Sequence, residues 1–149
     1  MLKETIETIT INLKRAQNDF NEIKSWDNIS PDYFDNDEKR RVIDSFIFRF
    51  TKLQDLMGDK LFKEVLNSIG EYKRSMSFID VLDKLEKLEI IKDTDEWNGI
   101  RELRNNLSHE YPSNQDEIIK DIKLALVLFE KIADTYKNII NYLDKNKLI

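Results

Sequence analysis

The stretch LKETIETITINLKRAQNDFNEI, residues 2–23, decides the fold. Leu2, Ile6, Ile9, Leu13, Ala16, Phe20 and Ile23 follow one another in steps of four and three, the spacing that paints one apolar stripe on an α-helix. So regular a stripe also suits a coiled-coil seam, but it lasts only about three heptads. It then meets Trp26 and the turn-forming Asp27-Asn28-Ile29-Ser30-Pro31, so packing inside a bundle is the simpler reading.

Working outward, the same periodicity predicts further helices. A second begins near Asp35 to Asp37, where acidic side chains suit the positive end of the helix dipole. It passes through Val42, Phe46, Phe50, Leu53 and Met57 and is expected to stop at Gly58. Ile47 and Phe48 widen its apolar face, which predicts burial on two sides, at a bundle centre or a subunit interface. A shorter apolar piece from Leu61 to Ile69 closes at Gly70. Ser77, with Asp80 three residues on, reads as an N-cap for a helix carrying Ile79, Leu82, Leu85 and Leu88.

Thr94, with Trp97 three residues later, opens a helix through Ile100, Leu103 and Leu107, and Pro112 biases Tyr111 away from helical backbone. From about Asp116 a long last helix turns Ile119, Ile122, Leu126, Phe129, Ala133, Tyr136, Ile140 and Leu143 inward. There is no internal repeat, linker or low-complexity tract. The expectation is all-α: a single up-down bundle of five or six helices spanning residues 1–149.

Composition agrees. With 3 Gly and 2 Pro in 149 residues, 40% hydrophobic and 36% charged, the chain favours helices and is poor in the tight turns of β-rich folds. It has no Cys, so disulfides and thiolate metal sites are ruled out. Met1-Leu2-Lys3-Glu4-Thr5 leads into charged helical sequence with no apolar signal region, which predicts a cytoplasmic protein without a membrane span. The net charge of −5 argues against a general basic field for nucleic acid, so any RNA contact must be local. Lys39-Arg40-Arg41 with Arg49, and Arg101 with Arg104, are the local candidates; for the first group a solvated face of mixed charge is the competing reading.

His109 is the only histidine and so the side chain whose ordinary pKa suits proton transfer near neutrality. On a helix, Arg101, Asn105 and His109 are successive neighbours four apart, while Arg104, Ser108 and Tyr111 flank them on the adjacent edge. Arg104 and His109 are five apart, about 140° round the helix, and do not converge within one regular helix. Either the helix loosens before Pro112, or two copies face each other across a two-fold axis; the dimer supplies two arginines and two histidines to one gap.

Arg104-Asn105-x-x-x-His109-x-Tyr111 resembles the R-x4-H-x-Y signature of the HEPN superfamily, in particular the HepT-like toxins encoded beside a minimal nucleotidyltransferase of the MNT or MntA kind. The upstream Trp97, the motif at the end of a penultimate helix, the following proline and the long last helix are similar to that family's layout. The resemblance implies a HEPN-like bundle and a homodimeric, metal-independent endoribonuclease with Arg104 and His109 as catalytic residues. Asn105, Ser108 and Arg101 would support them, with no cofactor. It further implies that a partner nucleotidyltransferase antitoxin transfers AMP to Tyr111 and silences the toxin. The 2′-OH requirement would restrict cleavage to RNA rather than DNA.

A related group with an RN-x-x-SH-x-Y pattern, matched by Arg104-Asn105, Ser108-His109 and Tyr111, comprises nucleotidyltransferase substrate-binding proteins. A non-catalytic nucleotide-binding subunit is therefore the alternative, and a helical adaptor with a coincidental motif is the third. The acidic run from Phe78 to Glu96 predicts narrow substrate choice or weak activity.

Overall fold

The amphipathic stripes fold as six α-helices in a computed structural model that describes residues 1–108 and 115–149. They are α1 (Leu2–Ser25), α2 (Asp37–Asp55), α3 (Phe62–Ser68), α4 (Phe78–Lys87), α5 (Thr94–Leu107) and α6 (Gln115–Lys145). A 3-10 turn, Pro31–Asp35, precedes α2, and a π-helical segment, Leu56–Leu61, joins α2 to α3. Among the described residues there is no strand, so the all-α class is observed. No helix among them is long and apolar enough to cross a membrane. His109, Tyr111 and Pro112 lie outside the described residues.

Local chemistry sets the helix ends. The Asn36 side chain accepts from the Lys39 amide at the start of α2. Ser77 and Asp80 form the reciprocal capping box expected from their spacing. α3 ends with Gly70 at φ +75°, the Glu71 amide donating to the Leu66 carbonyl and the Gly70 amide to the Asn67 carbonyl. This closing geometry needs the left-handed backbone that glycine adopts without strain. Asp93 caps α5 by accepting from the Asp95 amide.

Three cross-links fix how α1 lies on α2 and its helical continuation into α3. Thr5 donates to Glu64 at 3.0 Å, Arg49 to Asn12 at 2.8 Å and Ser45 to Asp19 at 2.5 Å, so the helices run antiparallel. Tyr136 of α6 reaches Thr10 and the Ile6 carbonyl, while Phe129 meets Phe20, so α6 is antiparallel to α1 as well. Between them lies an aromatic core in which Phe46 packs edge-on to Phe129 at 5.7 Å, with Phe20 and Phe50 beside it. Quadrupole-favoured packing of this kind adds to the burial of each ring.

The structure corrects several sequence expectations. Gly58 does not end the second helix: the chain stays helical from α2 through the π segment into α3, and Gly58 is buried. A Cβ there would meet Gln54 Oε1 at 2.7 Å, the Phe78 ring at 3.3 Å and Trp97 Nε1 at 3.4 Å, so the glycine serves close packing rather than chain reversal. Phe48 is 57% exposed on the single chain, not at the bundle centre, and its ring lies beside the Arg49 guanidinium. Ile79 faces solvent while Val81, Leu82 and Leu85 are buried, and Ile43 rather than Val42 enters the core. At Val42 and Ile43 both neighbours fit the stripe, and tertiary packing chose one.

Candidate functional site

The last two turns of α5 carry the motif as far as the described residues reach. Ile100, Leu103 and Leu107 are buried and seat this face of the helix in the core. That seating leaves Arg101, Asn105 and Ser108 exposed and Arg104 half-buried against α2.

Arg104 is the best-held of these groups. Its Nε donates to Asp55 Oδ1 and its Nη2 to Asp55 Oδ2, both at 2.9 Å. This fork-to-carboxylate pairing fixes the guanidinium plane as well as its position. Gln54 Nε2 also donates to Asp55 Oδ1, at 2.9 Å. The Asp55 hydrogen bonds raise the Arg104 pKa above the ordinary arginine value; partial burial opposes this, and the charges of Asp55 and Asp59 reinforce it. Arg104 is thus a permanent cation. The pairing uses two of the five N–H donors of a guanidinium and leaves the Nη1 side outside it.

The other expected site residues differ in how they are held. The Arg101 guanidinium stacks over Phe78, 4.1 Å from the ring centroid. The Ser108 hydroxyl donates to the Asn105 carbonyl at 2.7 Å, tying off the end of α5. The Asn105 side chain is exposed, four residues before His109 in the sequence. His109, expected to be catalytic, and Tyr111, the expected modification residue, lie outside the described residues, so Arg104, Arg101, Asn105 and Ser108 are the part of the expected site that the structure describes.

Sequence reasoning missed Asp55 and Gln54. They stand 49 and 50 residues before Arg104, and no local spacing links them to it. One available signal was that both follow Leu53 within a stripe otherwise filled by Phe, Leu and Met, an unusual place for polar groups. They also border a π-helical segment, a feature that concentrates at functional sites.

The surroundings are not basic. Asp59 and the groove beside it, lined by Glu4, Thr5, Lys60, Lys63 and Glu64, carry mixed charge. Lys39 lies 3.8 Å over the Tyr33 ring, Arg40 pairs with Asp37 at 2.9 Å and Arg49 binds Asn12, so this group has the local ties of a mixed helix face. Among the described residues no group of three or more His, Asp or Glu side chains is placed to hold a metal ion.

Comparison of the chain with protein-family models, with curated proteins and with solved structures finds no match.

Proposed function

We propose that this chain is a HepT-like, metal-independent endoribonuclease that works as a homodimer in the cytoplasm and is silenced when a partner MNT-type nucleotidyltransferase transfers AMP to Tyr111. One observation supports this most: the Arg104 guanidinium is held bidentately by Asp55, with part of its donor set still outside the pair. An arginine fixed in this way at the end of α5, five residues before the only histidine, is organised to receive a phosphate oxygen.

The chemistry follows from the two groups. A neutral His109 imidazole removes the proton from a ribose 2′-OH, and the 2′-oxygen attacks the adjacent phosphorus. The bond to the 5′-oxygen breaks, and that oxygen takes a proton from an imidazolium, which the second copy of His109 in a dimer supplies. Arg104 stabilises the charge gathering on the non-bridging oxygens. Products are a 2′,3′-cyclic phosphate and a 5′-hydroxyl, and DNA is spared for want of the 2′-OH. AMP on Tyr111 would add charge and bulk where the RNA phosphate must sit.

A non-catalytic nucleotide-binding subunit is the second reading, favoured by the acidic flank of Asp55 and Asp59, which weakens attraction for long polyanions. Expression without and with the partner nucleotidyltransferase separates the two. Growth arrest and cleavage of single-stranded RNA by the native chain, both lost in Arg104→Ala and His109→Ala, support the ribonuclease. Tight AMP binding with no cleavage, and normal growth, would replace it with the binding subunit.

A further inference from the structure

Two fully buried polar atoms behind Arg104 have no hydrogen-bond partner among the described residues: Gln54 Oε1 and Trp97 Nε1. Gln54 is 3% exposed and Trp97 2%. The indole nitrogen is a donor only and the amide oxygen an acceptor only, so the two are complementary. Both converge on the space beside the Gly58 Cα, where a side-chain carbon would sit 2.7 Å from one and 3.4 Å from the other.

The orientation of Gln54 is dictated from its other end. Its Nε2 donates to Asp55 Oδ1, an oxygen that also accepts from Arg104 Nε. A reversed carboxamide would press oxygen against carboxylate oxygen, so Oε1 must point away from Asp55, toward Gly58 and the indole. Trp97 and Arg104, seven residues apart, lie on one stripe of α5 facing the junction of α2 and the π segment.

We propose that Trp97, Gln54 and Asp55 form one hydrogen-bonded chain that sets the orientation of Arg104, with Gln54 as a positioning residue and Gly58 as the gap that lets the carboxamide approach the indole. One water beside Gly58 accepts from the Trp97 N–H and donates to Gln54 Oε1, because leaving both groups unpaired in the core carries a desolvation cost that native structures avoid. The chain connects the Phe62–Trp97 aromatic contact, with centroids 4.8 Å apart, to the guanidinium at the surface. A change in core packing around Trp97 is thereby felt at Arg104. The inference deepens the functional reading, since an oriented Arg104 is what that reading needs, but the link can be measured without RNA.

The test is solvent exchange of the Arg104 Nε–H and Trp97 indole N–H signals in the 15N-labelled full chain, with Trp97→Phe assigning the indole signal. In Gln54→Leu both protons should exchange roughly tenfold faster or more, and the thermal midpoint should fall because the buried indole N–H is left without an acceptor. Trp97→Phe should speed the Arg104 proton alone. Gly58→Ala should speed both, by displacing the carboxamide. Where Trp97→Phe fails to fold, Gln54→Leu carries the test. An Arg104 exchange rate unchanged in Gln54→Leu, but raised in Asp55→Asn, would overturn the chain and leave the ion pair standing. Intact coupling in a protein that cleaves no RNA would instead remove the ribonuclease reading and keep the chain.

Discussion

Arg104 and Asp55 meet through two near-equal N–H···O bonds although 49 residues separate them, and this pair locks the end of α5 to the end of α2. The side chains are 27% and 35% exposed, so the pair is neither a free surface bridge nor a buried one. Its strength is therefore intermediate: more than a solvent-screened contact, less than a desolvated charge pair.

Asp55→Asn keeps the shape and removes the charge. Chemical denaturation should show a loss of about 1 kcal/mol, the value of a charge-assisted pair discounted for its exposure. If the pair orients Arg104 for RNA, cleavage should fall by roughly tenfold or more, beyond what that loss of stability explains. Unchanged cleavage would show that Asp55 is structural only.

Gly58 and Gly99 make opposite predictions. A methyl at Gly58 collides with Gln54 Oε1 and crowds the Phe78 ring, whereas one at Gly99, inside α5, meets nothing within 4 Å. Gly58→Ala should destabilise by about 1–3 kcal/mol through overpacking. Gly99→Ala should stabilise by up to about 1 kcal/mol, as alanine replaces glycine within a helix. Thermal melts of the two variants check both signs.

Alkali should act through Tyr136. Burial pushes its phenol above the ordinary value of 10.0, against a smaller opposing effect of the Thr10 hydrogen bond. A pKa raised by folding gives stability that is complete below the unfolded value and is lost as pH rises past it toward the folded one. Stability should therefore fall from about pH 10 upward, and Tyr136→Phe, although it loses the bonds to Thr10 and Ile6, should flatten that slope. An equal alkaline slope in the variant would assign the effect elsewhere.

Acid acts at the α4–α5 connection. The Thr94 hydroxyl and amide both donate to Glu86, and these hydrogen bonds hold its carboxyl below the ordinary value of 4.5. For a depressed pKa the contribution is present above the unfolded value and is lost as pH falls through the folded one. Thr94→Ala should raise the Glu86 pKa in a carboxyl-resolved NMR titration. No change in that titration would refute the coupling.

How much was legible in advance depended on the range of the interaction. Ser77 with Asp80, Gly70 after Ile69 and the α1 stripe were read correctly because each acts over one or two turns. Gly58 was misread because a glycine that permits close packing looks, in one dimension, like a glycine that ends a helix. Phe48, with Ile47, was expected to be buried at a bundle centre or a subunit interface, and on the single chain it is exposed, on the side of the helix opposite Phe46 and Phe50.

The sequence by itself determined that the chain is helical, which faces of most helices are apolar, and that Arg104, Asn105 and Ser108 fall together at the end of one of them. Those properties repeat every 3.6 residues and need no partner helix. Only the tertiary structure decided that α2 continues through a π segment and that Asp55 orients Arg104. It also placed Gln54 and Trp97 beside the same glycine. Side chains some fifty residues apart meet because whole helices pack to bury their stripes, and that register is a property of the assembled core.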